Sequence, residues 1–228
     1  MASWSYLFTD VRGFLLQLNR RSDAQSPQEC PPVALSGALI PGWQGEQDSD
    51  LLLVPDMSWA ARGPFTEADS RLIFAQPAAP GKEGDYSRDP RAVAKRCEAY
   101  LKSTGIADTA KIGPELEFHL LKGIRFRTDA SKNFVELAEL DGWPNNAAEC
   151  NSGYRVGHNS MHFHAPPNDQ FLKLRERVCA EYEQLGIRCI HHGHEAGPSQ
   201  QEIGVEPKNL LRAADEVQLQ KHVIKNVA

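Results

Sequence analysis

Eight residues, Gly113-Pro114-Glu115-Leu116-Glu117-Phe118-His119-Leu120, alternate acidic or polar side chains with apolar ones. In a strand, alternate side chains share a face. Glu115, Glu117 and His119 then point one way, and Leu116, Phe118 and Leu120 point the other. Two carboxylates on one face repel, and burying them is costly unless a cation neutralises them. Hard cations such as Mg²⁺ or Mn²⁺ favour oxygen donors. A solvated strand face explains the same alternation, so Glu-x-Glu alone does not choose between the readings.

A second segment runs His191-His192-Gly193-His194-Glu195-Ala196-Gly197-Pro198-Ser199-Gln200-Gln201-Glu202. Glu195 is read as the end of one strand and Glu202 as the start of the next, with a Gly-Pro turn between. Such a turn brings both carboxylates to one end of a sheet. With Glu115 and Glu117 they make four glutamates, a set suited to divalent metals that clamp a transferring phosphoryl group. His162-x-His164 and His192-x-His194 offer imidazoles at a spacing that also fits zinc. Hydrogen-bonded strand and loop histidines account for them more simply and are the favoured reading. The sequence has no Gly-x-x-x-x-Gly-Lys, Gly-x-Gly-x-x-Gly or Gly-x-Ser-x-Gly pattern.

These residues need elements to position them. The first ~75 residues read as strands: Tyr6 to Asp10 and Phe14 to Leu18 around a Val11-Arg12-Gly13 turn, then Leu51 to Val54 ending at Pro55-Asp56, then Arg71 to Gln76. Ser22 to Pro32 is polar and proline-rich and reads as a loop. Pro77 to Gly84 looks like a boundary. Asp89 caps a helix that Pro90 opens, with Val93, Cys97, Tyr100 and Leu101 as its apolar stripe and Gly105 as its stop. Pro114 to Leu121 is a strand. Pro166 to Asp169 opens a second helix with stripe Phe171, Leu174, Val178, Tyr182 and Leu185, stopped by Gly186. Short strands follow at Ile187 to Ile190 and Gln201 to Val205. The last helix begins near Pro207, carries Leu210, Ala214, Val217 and Ile224, and reaches Ala228 without a capping glycine or proline, which suggests a chain cut short.

The 228 residues are 41% hydrophobic and 24% charged, which excludes a disordered chain and leaves enough apolar side chains for a core. A net charge of −5 argues against a nucleic-acid footprint. No apolar run reaches the ~18–20 residues of a membrane span, so no membrane partner is expected. Asp10 and Arg12 interrupt any signal-peptide core, so a soluble, cytoplasmic protein is expected. Five cysteines (Cys30, Cys97, Cys150, Cys179 and Cys189) without a Cys-x-x-Cys pair argue against a disulfide framework or a cysteine zinc site. Cys97 and Cys179 fall on apolar helix faces and read as core residues.

Seven stretches, in order, resemble the N-terminal half of bacterial-type (class I) glutamine synthetase. They are Phe8-Thr9-Asp10-Val11-Arg12-Gly13; Gly42-Trp43 with Ser49-Asp50 through Asp56; Arg88-Asp89-Pro90-Arg91 through Arg96; Ser103-Thr104-Gly105-Ile106-Ala107-Asp108; Gly113 through Phe118; His192-Gly193-His194-Glu195 through Glu202; and Ala214-Asp215-Glu216 with Lys225-Asn226-Val227-Ala228. The resemblance implies an α+β chain, with a β-grasp N-terminal domain at 1–80 and an incomplete glutamine synthetase catalytic α/β domain at 81–228. It implies ATP- and divalent-metal-dependent ligation of ammonia to glutamate through γ-glutamyl phosphate, in glutamine biosynthesis and nitrogen metabolism. By motif, Glu117, Glu195 and Glu202 would hold the metal that orders glutamate, and Glu115 the metal beside the ATP phosphates, each metal being Mg²⁺ or Mn²⁺. Asp50 would be catalytic. Family members form stacked hexameric rings, so an oligomer with glutamine synthetase subunits is expected.

The departures set further expectations. The family chain is about twice as long, and its second half carries the rest of the ATP-side metal site, the glutamate-binding loop and the arginines of phosphoryl transfer. Ser36 stands where an ammonium-binding aspartate is usual, and a serine hydroxyl accepts no proton at neutral pH. Ile190 replaces an acidic residue near ATP. This chain alone is therefore expected to be inactive. The alternatives are a non-catalytic partner or regulator of a full-length ring, and a plain fragment, which would expose apolar surface and strand edges and dissolve poorly.

Overall fold

The computed structural model describes residues 2–66, 69–81, 86–139 and 159–228. Cys150 and positions 82–84 of the Pro/Gly-rich boundary lie outside them. The chain divides into two compact units, one of residues 1–113, 184–187 and 207–222, the other of 114–183, 188–206 and 223–228.

The first unit is built on a five-stranded mixed sheet. Its strands are β1 (Ala2–Thr9), β2 (Leu15–Ser22), β3 (Val33–Ser36), β4 (Asp50–Arg62) and β5 (Ser70–Ala78), in the order β2-β1-β5-β4-β3. β1 runs antiparallel to β2 and parallel to β5. The β1–β2 turn is the one the sequence marks. Asp10 accepts backbone N–H bonds from Arg12 and Phe14, and Gly13 has φ +82°, which a side chain would strain. One sheet face carries Trp4, Tyr6, Phe8, Leu51, Leu53 and Ile73 into a core closed by Trp43.

β4 does not stop at Pro55-Asp56. It continues to Arg62 through a register shift between Pro55 and Ala60. A bulge of this kind tolerates the missing proline N–H and re-aims side chains. In it, Asp56 accepts from the Ser58 N–H and hydroxyl.

α1 (Pro90–Ser103) starts where Asp89 accepts N–H bonds from Arg91 and Ala92, and Gly105 at φ +71° follows its end. The expected stripe is not its buried face. Val93 and Tyr100 are 47% and 72% exposed and Cys97 is exposed, whereas Arg91 and Ala92 are buried. The reason is an ion pair: Arg91 reaches Asp215 and Asp56 within this unit. The two-residue strands β6 (Lys111–Ile112) and β12 (Lys208–Asn209) pair antiparallel.

Burial pushes the Asp89 carboxyl up to about 6, against its N–H bonds and the Arg91 charge. Folded Asp89 thus holds a proton the unfolded chain has released, and stability falls as pH rises from about 4 through about 6. Asparagine caps equally well and carries no charge. Asp89→Asn is expected to leave Tm near its wild-type value at about pH 4 and to raise stability at neutral pH by roughly 2 kcal/mol. Melts at both pH values check this; an unchanged Tm at neutral pH would count against it.

The second unit contains β7 (Glu115–His119), β8 (Leu121–Thr128), β9 (Asn133–Glu139), α2 (Leu172–Gln184), β10 (Cys189–His194) and β11 (Gln200–Val205). β10, β11 and β7 form one antiparallel sheet, and β8 and β9 form a hairpin. The hairpin is an element the sequence reading passed over, although Ile124 faces Leu137 and Phe126 faces Val135 across it. These four side chains are exposed, so the alternation has no buried face behind it. β10 begins two residues later than the Ile187–Ile190 strand expected. α2 begins at Leu172, later than Pro166, but its stripe holds: Phe171, Val178, Tyr182 and Leu185 are buried, Leu174 is half-buried, and Gly186 sits at φ +75°.

α3 (Leu210–Val227) buries Ala213, Asp215, Glu216, Leu219, Gln220, Val223 and Ile224. Ala214 is exposed and Leu210 and Val217 are half-buried, so the stripe turns away from the expected face. Asp215 and Glu216 are drawn inward by Arg91 and Arg212. No helix among the described residues is long and apolar enough to cross a membrane.

A carboxylate-rich candidate metal site

Strand register assembles the acidic residues of the second unit. β11 sets Glu202 opposite Glu117 and Gly204 opposite Glu115 on β7. The two-residue period then puts Glu115, Glu117 and Glu202 on one sheet face. The other face carries Leu116 and Ile203, with Ile203 fully buried. It also carries Gln201, which accepts a hydrogen bond from Arg175 of α2.

β10 adds an imidazole. Its pairing with β11 slips between Cys189 and His191, which sets His191 opposite Gly204. A Cβ on Gly204 would lie 2.1 Å from His191 Cε1, so the ring lies over the bare glycine. From there His191 Nε2 is 3.6 Å from Glu202 and 3.9 Å from Glu115. Glu115, His191 and Glu202 each offer a donor atom, all within 4.8 Å of one another, the one such group among the described residues.

Glu195 follows β10 directly. Its N–H donates to the Gln200 carbonyl at 2.9 Å and closes the β10–β11 turn. Its carboxylate meets His162 Nε2 at 2.9 Å and stands near enough to Glu202 to raise the Glu202 pKa. Burial, then Glu195, then the Glu115 charge push the Glu202 pKa up, with His191 opposing. Gathered carboxylates with a single imidazole suit a hard divalent ion, and the imidazole tilts the donor set from Mg²⁺ towards Mn²⁺.

Two of the four expected glutamates, Glu115 and Glu202, therefore converge with His191, and Glu195 stands near Glu202. Glu117 stands beside them in register but accepts a hydrogen bond from Gln200 Nε2 at 2.6 Å. Asp50 belongs to the first unit, with Ser36 as its direct cross-strand neighbour. It lines a cavity of ≈ 540 Å³ with Gln44, Gln47 and Asp48. Ile190, 55% exposed, stands at the site's strand without a polar group to offer.

The histidine pairs do not gather for zinc. His162 meets Glu195, and His164 lies 3.5 Å from the Asn168 amide. His192 accepts from Arg175 Nε, and His194 Nδ1 lies 2.7 Å from the Glu195 carbonyl. Burial pushes the His192 pKa down, which suits an acceptor imidazole. His191 was missed as a candidate ligand. A strand reading without the register slip gives no reason to prefer it to His192.

Comparison with known proteins finds relatives over most of the chain. Residues 87–228 match the family described as glutamine synthetase, catalytic domain. The chain is 41% identical over 199 residues to a 3-hydroxylaminophenol mutase of Cupriavidus pinatubonensis, covering 86% of this chain and 42% of that protein. It is 39% identical over 225 residues to a glutamine synthetase of Streptomyces coelicolor, covering 97% and 47%. Its fold is similar to a Plasmodium falciparum glutamine synthetase solved by cryo-electron microscopy, with TM-score 0.85 at 20% identity, over 99% of this chain and 45% of that one. The chain thus spans about half the length of the relatives it matches.

Proposed function

The chain belongs to the glutamine synthetase catalytic-domain family, and from that premise we propose that it carries the carboxylate shell of an ATP- and divalent-metal-dependent ligase joining ammonia to glutamate. Glu117, Glu195 and Glu202 hold one metal, and Glu115 begins a second. The gathering of Glu115, Glu202 and His191, with Glu117 beside them in register and Glu195 close enough to raise the Glu202 pKa, carries this reading. A bound Mg²⁺ or Mn²⁺ would neutralise the carboxylates and supply Lewis-acid chemistry to a phosphoryl group. The protein side chains do the positioning: Gln200 orients Glu117, and His162 orients Glu195. In this reading residues 1–80 are a β-grasp domain and 81–228 begin the catalytic domain. Ring assembly with like subunits, glutamate, ammonia and ATP as partners, and a cytoplasmic role in glutamine biosynthesis belong to the same proposal.

A second reading has its own support. Ser36, opposite Asp50, offers a hydroxyl where an ammonium site needs a carboxylate. This favours a non-catalytic partner or regulator of a complete ring. It also leaves room for a different substrate, as the name of the Cupriavidus relative illustrates.

Titration calorimetry of the 228-residue chain with MnCl₂ tests the metal shell. Binding is expected, weakened at least about tenfold by Glu202→Gln and by Glu117→Gln, with circular dichroism as the folding control. No heat of binding in the folded wild-type chain would overturn the proposal.

A further inference from the structure

Cys179 and Cys189 bring their sulfurs to 2.7 Å, both as free thiols. A disulfide needs roughly 2.05 Å, so a small shift of either side chain closes the gap. Cys179 faces β10 from α2, and Cys189 is the first residue of that strand. Both are half-buried, so a reagent in solution reaches them. The other described cysteines differ: Cys30 is buried in the core of the first unit, and Cys97 stands exposed on α1.

We infer that Cys179 and Cys189 form a reversible dithiol–disulfide couple that exchanges with small-molecule disulfides of the glutathione type. One cysteine thiolate attacks a sulfur of glutathione disulfide, forms a mixed disulfide and expels one glutathione thiolate. The second cysteine, giving up its proton, attacks the protein sulfur of that mixed disulfide and expels the second glutathione. The protein loses two electrons and two protons, and glutathione disulfide becomes two glutathione thiols. Partial exposure favours a labile couple over a permanent cross-link. The bond ties α2 to the start of β10. It also withdraws the Cys189 thiol from the His191 carbonyl, to which it now donates at 3.6 Å. The inference stands on these two sulfurs and does not depend on metal binding.

The test equilibrates the purified chain in buffers of graded glutathione to glutathione-disulfide ratio, quenches with acid, alkylates free thiols and maps peptides by mass. The oxidised chain is expected to lose two of its five alkylatable thiols and to link the peptides of Cys179 and Cys189. Cys179→Ser and Cys189→Ser are each expected to abolish that link. A variant with serine at positions 30, 97 and 150 is expected to keep it, which decides the matter even if a single variant fails to fold. Retention of all five thiols in excess glutathione disulfide, stable glutathione adducts on both cysteines, or links dominated by other cysteines would overturn the inference.

Discussion

Arg91→Leu is expected to lower the stability of the first unit by about 3–5 kcal/mol. The side chain is 4% exposed in the first turn of α1. Its Nε and Nη2 donate to Asp215 at 2.8 and 2.9 Å, and Nη2 also meets Asp56 at 2.7 Å. The guanidinium lies 5.3 Å from the Phe74 ring centre. Taking this cation away leaves two carboxylates, one of them buried, without the guanidinium that both of them contact. Burial already pushes the Asp215 pKa up and Arg91 opposes it, so the loss of Arg91 drives Asp215 towards its neutral form. Asp56 is also pushed up by burial, but its bonds from Ser58 and Arg91 outweigh that and hold it at about 2. Its contribution is present above the ordinary carboxylate range and lost as pH falls towards 2. In Arg91→Leu that acid-side loss should shrink. Urea unfolding measures the effect, and Arg91→Leu with Asp215→Asn should recover part of it. A cost below about 1 kcal/mol would show that the ion pair is not what holds α1 in place.

Gly204→Ala is expected to separate site geometry from stability. The new methyl would occupy the place of the His191 ring. That ring is 48% exposed, so it swings out instead of forcing the backbone apart. Tm should therefore change little, while Mn²⁺ affinity should fall about tenfold or more as His191 leaves Glu115 and Glu202. Calorimetry and a melting curve on the same sample check both halves. Unchanged affinity would remove His191 from the site; a collapsed Tm would mean the ring cannot move.

Local chemistry was legible in the sequence. The β1–β2 turn is written in Asp10 and Gly13, and the start of α1 in Asp89 and Pro90. The alternation of Glu115 to His119 and the Phe171 to Leu185 stripe also held. Each rests on contacts within a few residues, where side-chain period and backbone freedom decide the outcome. Faces and registers were less legible. The buried side of α1 is chosen by Arg91, whose partner Asp215 lies 124 positions away. No periodicity within the helix carries that information. The continuation of β4 past Pro55 depends on a bulge that only its pairing with β5 reveals.

The glutamates divide along the same line. Sequence alone singled out Glu115, Glu117, Glu195 and Glu202 as acidic residues that strand period and a Gly-Pro turn would bring near one another, and it carried the resemblance that the family match supports. Tertiary structure decided the grouping. A single register slip in β10 turned His191 onto the bare surface of Gly204 and made it the third donor with Glu115 and Glu202. The β11–β7 pairing left Glu117 within reach of Gln200, which donates to it. A strand fixes the direction of its side chains by itself, but which of them meet depends on the hydrogen-bond register with its neighbours.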